Sequence, residues 1–273
     1  MRLSTSAIII IICTLRAFGQ TGDYRMGGRA MGMGYAAGTQ GDEWSVFNNI
    51  GAIAWEPQSP VAGFSYQSVS TLKELGKKAA TATVPFGTFC SGMSFFRIGD
   101  DHFSETRLSL GIGHKIRFVS LGFQIDYLQM VIEQSGTRGV IYYEGGGVAE
   151  LFPGFRIGAV MQNFNRAKIS RLTGEELPVR MEITLSYLPQ EFLILNFSLE
   201  DILQYGMIPK AGIEYAIHGK FFLRTGITMK PVRNYFGIGI KAWHFKFDYA
   251  MSIQNYLGFN HQVSLSAFLK DKK

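Results

Sequence analysis

The sequence predicts an all-β protein, a 14-stranded antiparallel transmembrane β-barrel with a small N-terminal helical hatch, and three observations carry that expectation. The first is alternation. In 119–131, Val119, Leu121, Phe123, Ile125, Tyr127 and Val131 form one set and Ser120, Gly122, Gln124 and Asp126 the other. Successive side chains of a strand point to opposite faces, so this stretch is a strand with one apolar and one polar face. The second is a regular exchange of very short and longer connections along the chain, and the third is an export signal at its start.

Residues 1–19 read as a signal peptide. Arg2 supplies a short positive region, an apolar run extends from Ala7 to Leu15, and Ala17-Phe18-Gly19 places small residues at the last and third-last positions. Cleavage is expected after Gly19, leaving Gln20 as the mature N-terminus. Cys13 raises lipidation as the competing interpretation, but Ile12 precedes it where a lipoprotein signal has a small residue. With the signal removed only Cys90 remains, so no intrachain disulfide can form. No later run reaches the ~18–20 consecutive apolar residues of a membrane helix.

Residues 20–57 lack alternation and are rich in small residues, among them Gly27, Gly28, Gly32, Gly34, Gly38, Gly41 and Gly51. That composition suits a short helical hatch packed tightly inside a lumen. A nucleotide loop is the alternative for "GGRAMGMG", but the stretch follows no predicted strand and lacks the Walker lysine pattern.

The barrel is expected over 58–269, with a periplasmic tail at 270–273. Fourteen segments alternate: about 60–71, 78–86, 88–98, 105–116, 117–131, 138–151, 154–164, 179–188, 191–199, 208–217, 219–229, 233–242, 244–253 and 258–269. Their usual length of roughly 10–12 residues is what a tilted strand needs to cross a hydrocarbon core. In 245–253, for example, Phe245, Phe247, Tyr249, Met251 and Ile253 alternate with Lys246, Asp248, Ala250 and Ser252. Segment 138–151 carries "YYEGGG", whose glycines mark either a bulge or a place where backbone approaches a plug. Connections after even-numbered segments are nearly absent, whereas "LKELGK", "GDDHFS", "EQSGTRG" and "NRAKISRLTGEEL" follow odd-numbered ones. Short turns on one rim and longer loops on the other are the habit of outer-membrane barrels.

A soluble β-sandwich or a lipocalin-like barrel also alternates. Neither fits an inner set that carries charge, nor a chain with only 18% charged residues to cover its surface. The apolar face therefore meets lipid, and the sheet must close, because an open edge in hydrocarbon leaves backbone groups unpaired.

The net charge of +6 does not signal nucleic acid, because the basic residues are spread singly along the chain. The five histidines, His102, His114, His218, His244 and His261, have no metal-ligand spacing. No nucleophile signature occurs. The chain is accordingly expected to be non-catalytic, with no cofactor, no metal and no nucleic-acid partner. The lumen charges singled out are Arg156, Arg180, Glu182, Glu214, Arg224, Lys241, Lys246 and Asp248, together with Arg107, Lys115, Asp126 and Lys210. Their mixed signs point to paired networks holding the hatch more than to an ion-selective ring.

"GRAMGMGYA" followed by "GDEWSVFNNIGAIA" resembles the N-terminal signature of the PorV/PorQ family, a branch of the FadL-like outer-membrane barrels of Bacteroidota. The matching hatch residues are Gly28, Arg29, Met31, Gly32, Gly34 and Asn48, the last at the family asparagine. Asn49 and Ile50 stand where the family has proline and alanine. "RIGAVMQNFN" is similar to a family strand end, and the stretch 236–268 to its closing hairpin. The resemblance implies a fourteen-stranded barrel and a role as partner or shuttle subunit in type IX-like protein secretion or outer-membrane assembly. Its partners would be outer-membrane lipid and a secretion component or cargo, contacted by extracellular loops, the longest being Asn165 to Leu177. The alternative is passive uptake of a hydrophobic small molecule, as FadL-like barrels perform.

Overall fold

The computed structural model describes residues 23–56, 59–69, 76–133, 136–169, 176–203, 206–254 and 258–269. The expected signal peptide and tail lie outside them. Fourteen strands follow in chain order: β1 Val61–Val69, β2 Lys77–Phe86, β3 Phe89–Gly99, β4 Phe103–Ile116, β5 Val119–Ile132, β6 Gly136–Phe152 and β7 Phe155–Gln162, then β8 Arg180–Gln190, β9 Leu193–Ile202, β10 Gly206–Ile217, β11 Phe221–Met229, β12 Val232–Ala242, β13 Phe245–Gln254 and β14 Gly258–Phe268. Each pairs antiparallel with its sequence neighbours, and β1 closes on β14 from Val61↔Phe268 to Val69↔Asn260. Closure removes every free strand edge, the condition a sheet must meet in hydrocarbon.

The two faces of the wall have the polarity of a membrane barrel. On β4 and β5, Leu110 and Leu121 point outward and are 64% and 60% exposed, while Ser120, Gln124 and Asp126 point inward and are fully buried. Large exposed apolar side chains recur on every strand but β7, forming a belt far wider than the few hundred Å² a soluble monomer exposes.

Two-residue turns join β2–β3, β4–β5, β6–β7, β8–β9 and β12–β13, and three residues join β10–β11. Gly87, Arg117, Gly154, His218 and Trp243 take positive φ there, as tight hairpin turns demand. The opposite rim departs from the sequence expectation in two ways. β11 and β12 are joined by Lys230 and Pro231 alone. "GTRG", taken as loop, is the start of β6, pairing through Gly139↔Gln129 and Thr137↔Val131. Backbone pairing needs no apolar face, so this hairpin continues past the end of the alternating belt.

Residues 23–56 pack against the inner face of the wall. They form α1 (Gly28–Gly32), α2 (Ser45–Asn48) and a 3₁₀ turn at Ile50–Ala52. Helices this short are not stable alone and exist here through packing. α1 lies on β11–β14, and the 3₁₀ turn on β4–β7. Toward the long-loop rim, Tyr24, Met26, Trp44 and Phe47 meet Phe96 of β3, Leu128 and Met130 of β5, and Tyr142 of β6 in one buried apolar cluster.

Candidate functional site in the filled lumen

Alternation puts charged residues of β8, β9 and β10 on the inner face, and register brings them together. Arg180 pairs with Glu182 at 3.1 Å and with Glu200 at 2.6 Å, and Lys210 reaches the same two carboxylates at 2.9 and 2.7 Å. Arg25 of the interior segment docks on Glu200 at 3.1 Å and on Asp23 at 2.6 Å. Burial pushes the Asp23 carboxyl up, but Arg25 and then Lys77 hold it well below the usual carboxylate range. Through Gln162, which accepts from Arg180 and donates to Glu144, this group connects to Arg107, Asp126 and Tyr142.

A second group surrounds α1. Arg29 makes a two-pronged contact with Glu214 at 2.6 and 2.9 Å and reaches Asp42 at 3.3 Å. Arg224 bridges Glu214 at 2.5 Å and Asp248 at 2.8 Å, and Lys246 completes it at 3.4 Å from Asp248. All of these strand charges are buried. In such surroundings an ion has to be paired, because an unpaired one retains its full desolvation cost. The alternation of sign across both groups is that of a fastening, not of a selectivity ring.

Of the lumen charges named from the sequence, Glu214, Arg224, Lys246 and Asp248 meet in one group, and Arg180 and Glu182 in the other. Arg156 and Lys241 lie nearer the short-turn rim. Arg156 pairs with Glu56 at 2.9 Å and lies over the Trp55 ring, and Lys241 lies 5.2 Å from the Phe268 ring. Both border small cavities of about 230 and 170 Å³ between the interior segment and the short-turn rim.

The hatch-motif residues divide by partner. Gly28 donates its N–H to Ser264 Oγ at 2.8 Å, Gly32 abuts Gly237, and Gly34, at φ 65°, lies against the Ile227 backbone. Met31 is buried with Tyr35 and Tyr235. Asn48 Nδ2 donates to the Met26 and Trp44 carbonyls, both within the segment itself. Its neighbour Asn49 is the one that touches the wall. Asn49 Nδ2 donates to the Gly38 carbonyl at 2.5 Å and the Gly147 carbonyl at 3.3 Å, while its Oδ1 accepts from Gly51 N–H at 2.9 Å.

This contact explains the glycine run of β6. Gly146 faces Asn49, and a Cβ on Gly51 would collide with the Gly146–Gly147 backbone. The glycines thus permit close backbone approach, while the register shift of this strand lies beyond them, between Glu150 and Phe152. Sequence reasoning passed over Asn49, Glu144, Glu200, Asp23 and Arg25. Glu200 was accessible, since it continues the inner set Asn196, Ser198 of β9.

Among the described residues, no three His, Cys, Asp or Glu side chains form a group able to hold a metal.

No family model matches the chain, and no curated protein matches it in sequence. Solved structures do. The CymD monoaromatic hydrocarbon channel superposes with a TM-score of 0.72 at 9% identity, covering 92% of this chain and 99% of its own. The toluene transporter TodX of Pseudomonas putida gives 0.64 at 10%, covering 89% and 96%. A FadL homologue of Pseudomonas aeruginosa gives 0.61 at 11%, covering 87% and 96%. The class this defines is a closed fourteen-stranded barrel of FadL-like architecture. At these identities the likeness is one of fold.

Proposed function

We propose that the protein is an outer-membrane channel for small hydrophobic molecules, delivered to that membrane by the segment 1–19. One observation carries this: at the long-loop end the inner wall presents a cluster of large apolar side chains. There Phe96, Leu128, Met130 and Tyr142 pack with Tyr24, Trp44 and Phe47, and with Ile169 and Leu177 between β7 and β8. The connection is anchored by Asn163, whose Nδ2 donates to the Leu177 carbonyl at 2.7 Å and whose Oδ1 accepts from Ala167 N–H at 2.8 Å. Aromatic and apolar side chains on the lumen side are what an apolar solute requires of a binding surface. CymD is a monoaromatic hydrocarbon channel and TodX a toluene transporter, and their likeness in fold supports the same choice. The test is toluene uptake into vesicles carrying the purified barrel. Uptake above empty vesicles that falls with Phe96→Arg is expected, and a rate equal to that of empty vesicles overturns the proposal.

A second reading, a partner or shuttle subunit in type IX-like secretion or outer-membrane assembly, is favoured by the ion-paired interior segment, which fills the lumen instead of leaving a path. The PorV/PorQ-like hatch motif supports it as well. In that role the extracellular loops, the longest being Asn165 to Leu177, would carry the partner contacts. Stoichiometric recovery of a secretion component with the tagged barrel, without toluene uptake, would favour it over transport.

A further inference from the structure

Resting on the membrane reading above, we infer that the outer wall carries a binding site for a phosphate-bearing lipid at Lys78 and Arg97. The two residues are directly opposed across β2 and β3. Both are exposed and point away from the lumen, since their neighbours Ala79 and Phe96 are the buried inward residues. Like charges in opposed positions repel and are destabilising unless an anion lies between them. No carboxylate among the described residues pairs with either; the inward neighbour Lys77, by contrast, has Asp23. Tyr66 on one side and Thr106 on the other continue the same outward row and add hydroxyl donors.

Immediately toward the membrane centre the wall is hollowed. Ala80 and Ala82 replace the large outward residues found on neighbouring strands, leaving an apolar groove of about 540 Å³ walled by Met93, Phe95, Leu108 and Tyr127. Lys78 and Ala80 share one face of β2, so the cations stand about 7 Å above the groove. A lipid with an anionic headgroup and an acyl chain satisfies both features in one molecule. The site lies at the long-loop rim, the extracellular side of such barrels. Its occupant is therefore a phosphoglycolipid of the outer leaflet, with phosphate between the cations and one acyl chain over the two alanines.

The test uses the purified barrel in phosphatidylcholine nanodiscs containing monophosphoryl lipid A, with retained lipid read by native mass spectrometry. The wild type is expected to keep one phosphoglycolipid, with retention about 30-fold weaker in K78Q/R97Q. Ala80→Leu is expected to weaken it with the cations intact, and Lys220→Gln, a cation at the opposite rim, to leave it unchanged. Equal retention by wild type and K78Q/R97Q, or equal loss in Lys220→Gln, would overturn the site. A chain that stays in water without detergent and enters no nanodisc would overturn the membrane reading, and the inference with it.

Discussion

The interior segment meets the barrel along two seams of opposite chemistry. On β10–β13, α1 is fastened by the half-buried Arg29 and the buried Glu214, Arg224 and Asp248. On β4–β7, residues 46–53 make no ion pair among the described residues; contact is backbone on backbone at Gly51, Gly122 and Gly146, with Ile50 and Ile53 packed over Gly111 and Gly113. The charged seam adds ion pairing to its own close contacts, such as Gly32 on Gly237, whereas the glycine seam rests on fit alone. They should therefore fail differently, the first to a loss of charge and the second to an added methyl group.

Gly51→Val breaks the glycine seam most severely, because its Cβ has only β6 backbone to displace. The expected cost exceeds about 4 kcal/mol, read as loss of the compact, heat-modifiable band in electrophoresis; a normal band would show that the seam is soft. Arg224→Met attacks the other seam and strips Asp248 and Glu214 of a shared cation, with an expected loss of about 3–5 kcal/mol in guanidinium unfolding from vesicles. Asn49→Ala removes three hydrogen bonds and should cost about 1–3 kcal/mol, more than Asn48→Ala, whose bonds stay within the segment. Equal effects would mean that the wall contact of Asn49 carries no weight. Smallest is Glu56→Gln, which breaks the partly exposed pair with Arg156. A change below about 1 kcal/mol that shrinks further in high salt is expected.

Much of the wall could be read in advance because lipid and lumen impose opposite chemistries on successive residues. All fourteen strands lie at the expected places, and the inward position of Asp126, Glu182 and Asp248 followed from alternation alone. Partners did not follow, because period two fixes a face but not a register. That Arg224 would meet both Glu214 and Asp248 depends on how β10, β11, β12 and β13 slide past one another. β6 starts at Gly136, two residues ahead of the expected 138, since Gly136 and Thr137 extend the ladder by backbone pairing. The tie at Asn49 was hidden for a related reason: its partners are the carbonyls of Gly38 and Gly147, which no side-chain pattern advertises.

The glycine run of β6 has a mechanical consequence. At Gly145–Gly147 the wall is a bare backbone ribbon, with no side chains of its own interlocking with the neighbouring strands on either face. Stiffness there comes from hydrogen bonds to β5 and β7 and from Asn49 and the 3₁₀ turn leaning on it from within. Under lateral pressure from the bilayer, strain in the cylinder concentrates in this panel, and the segment behind it acts as the brace that sets how far it yields.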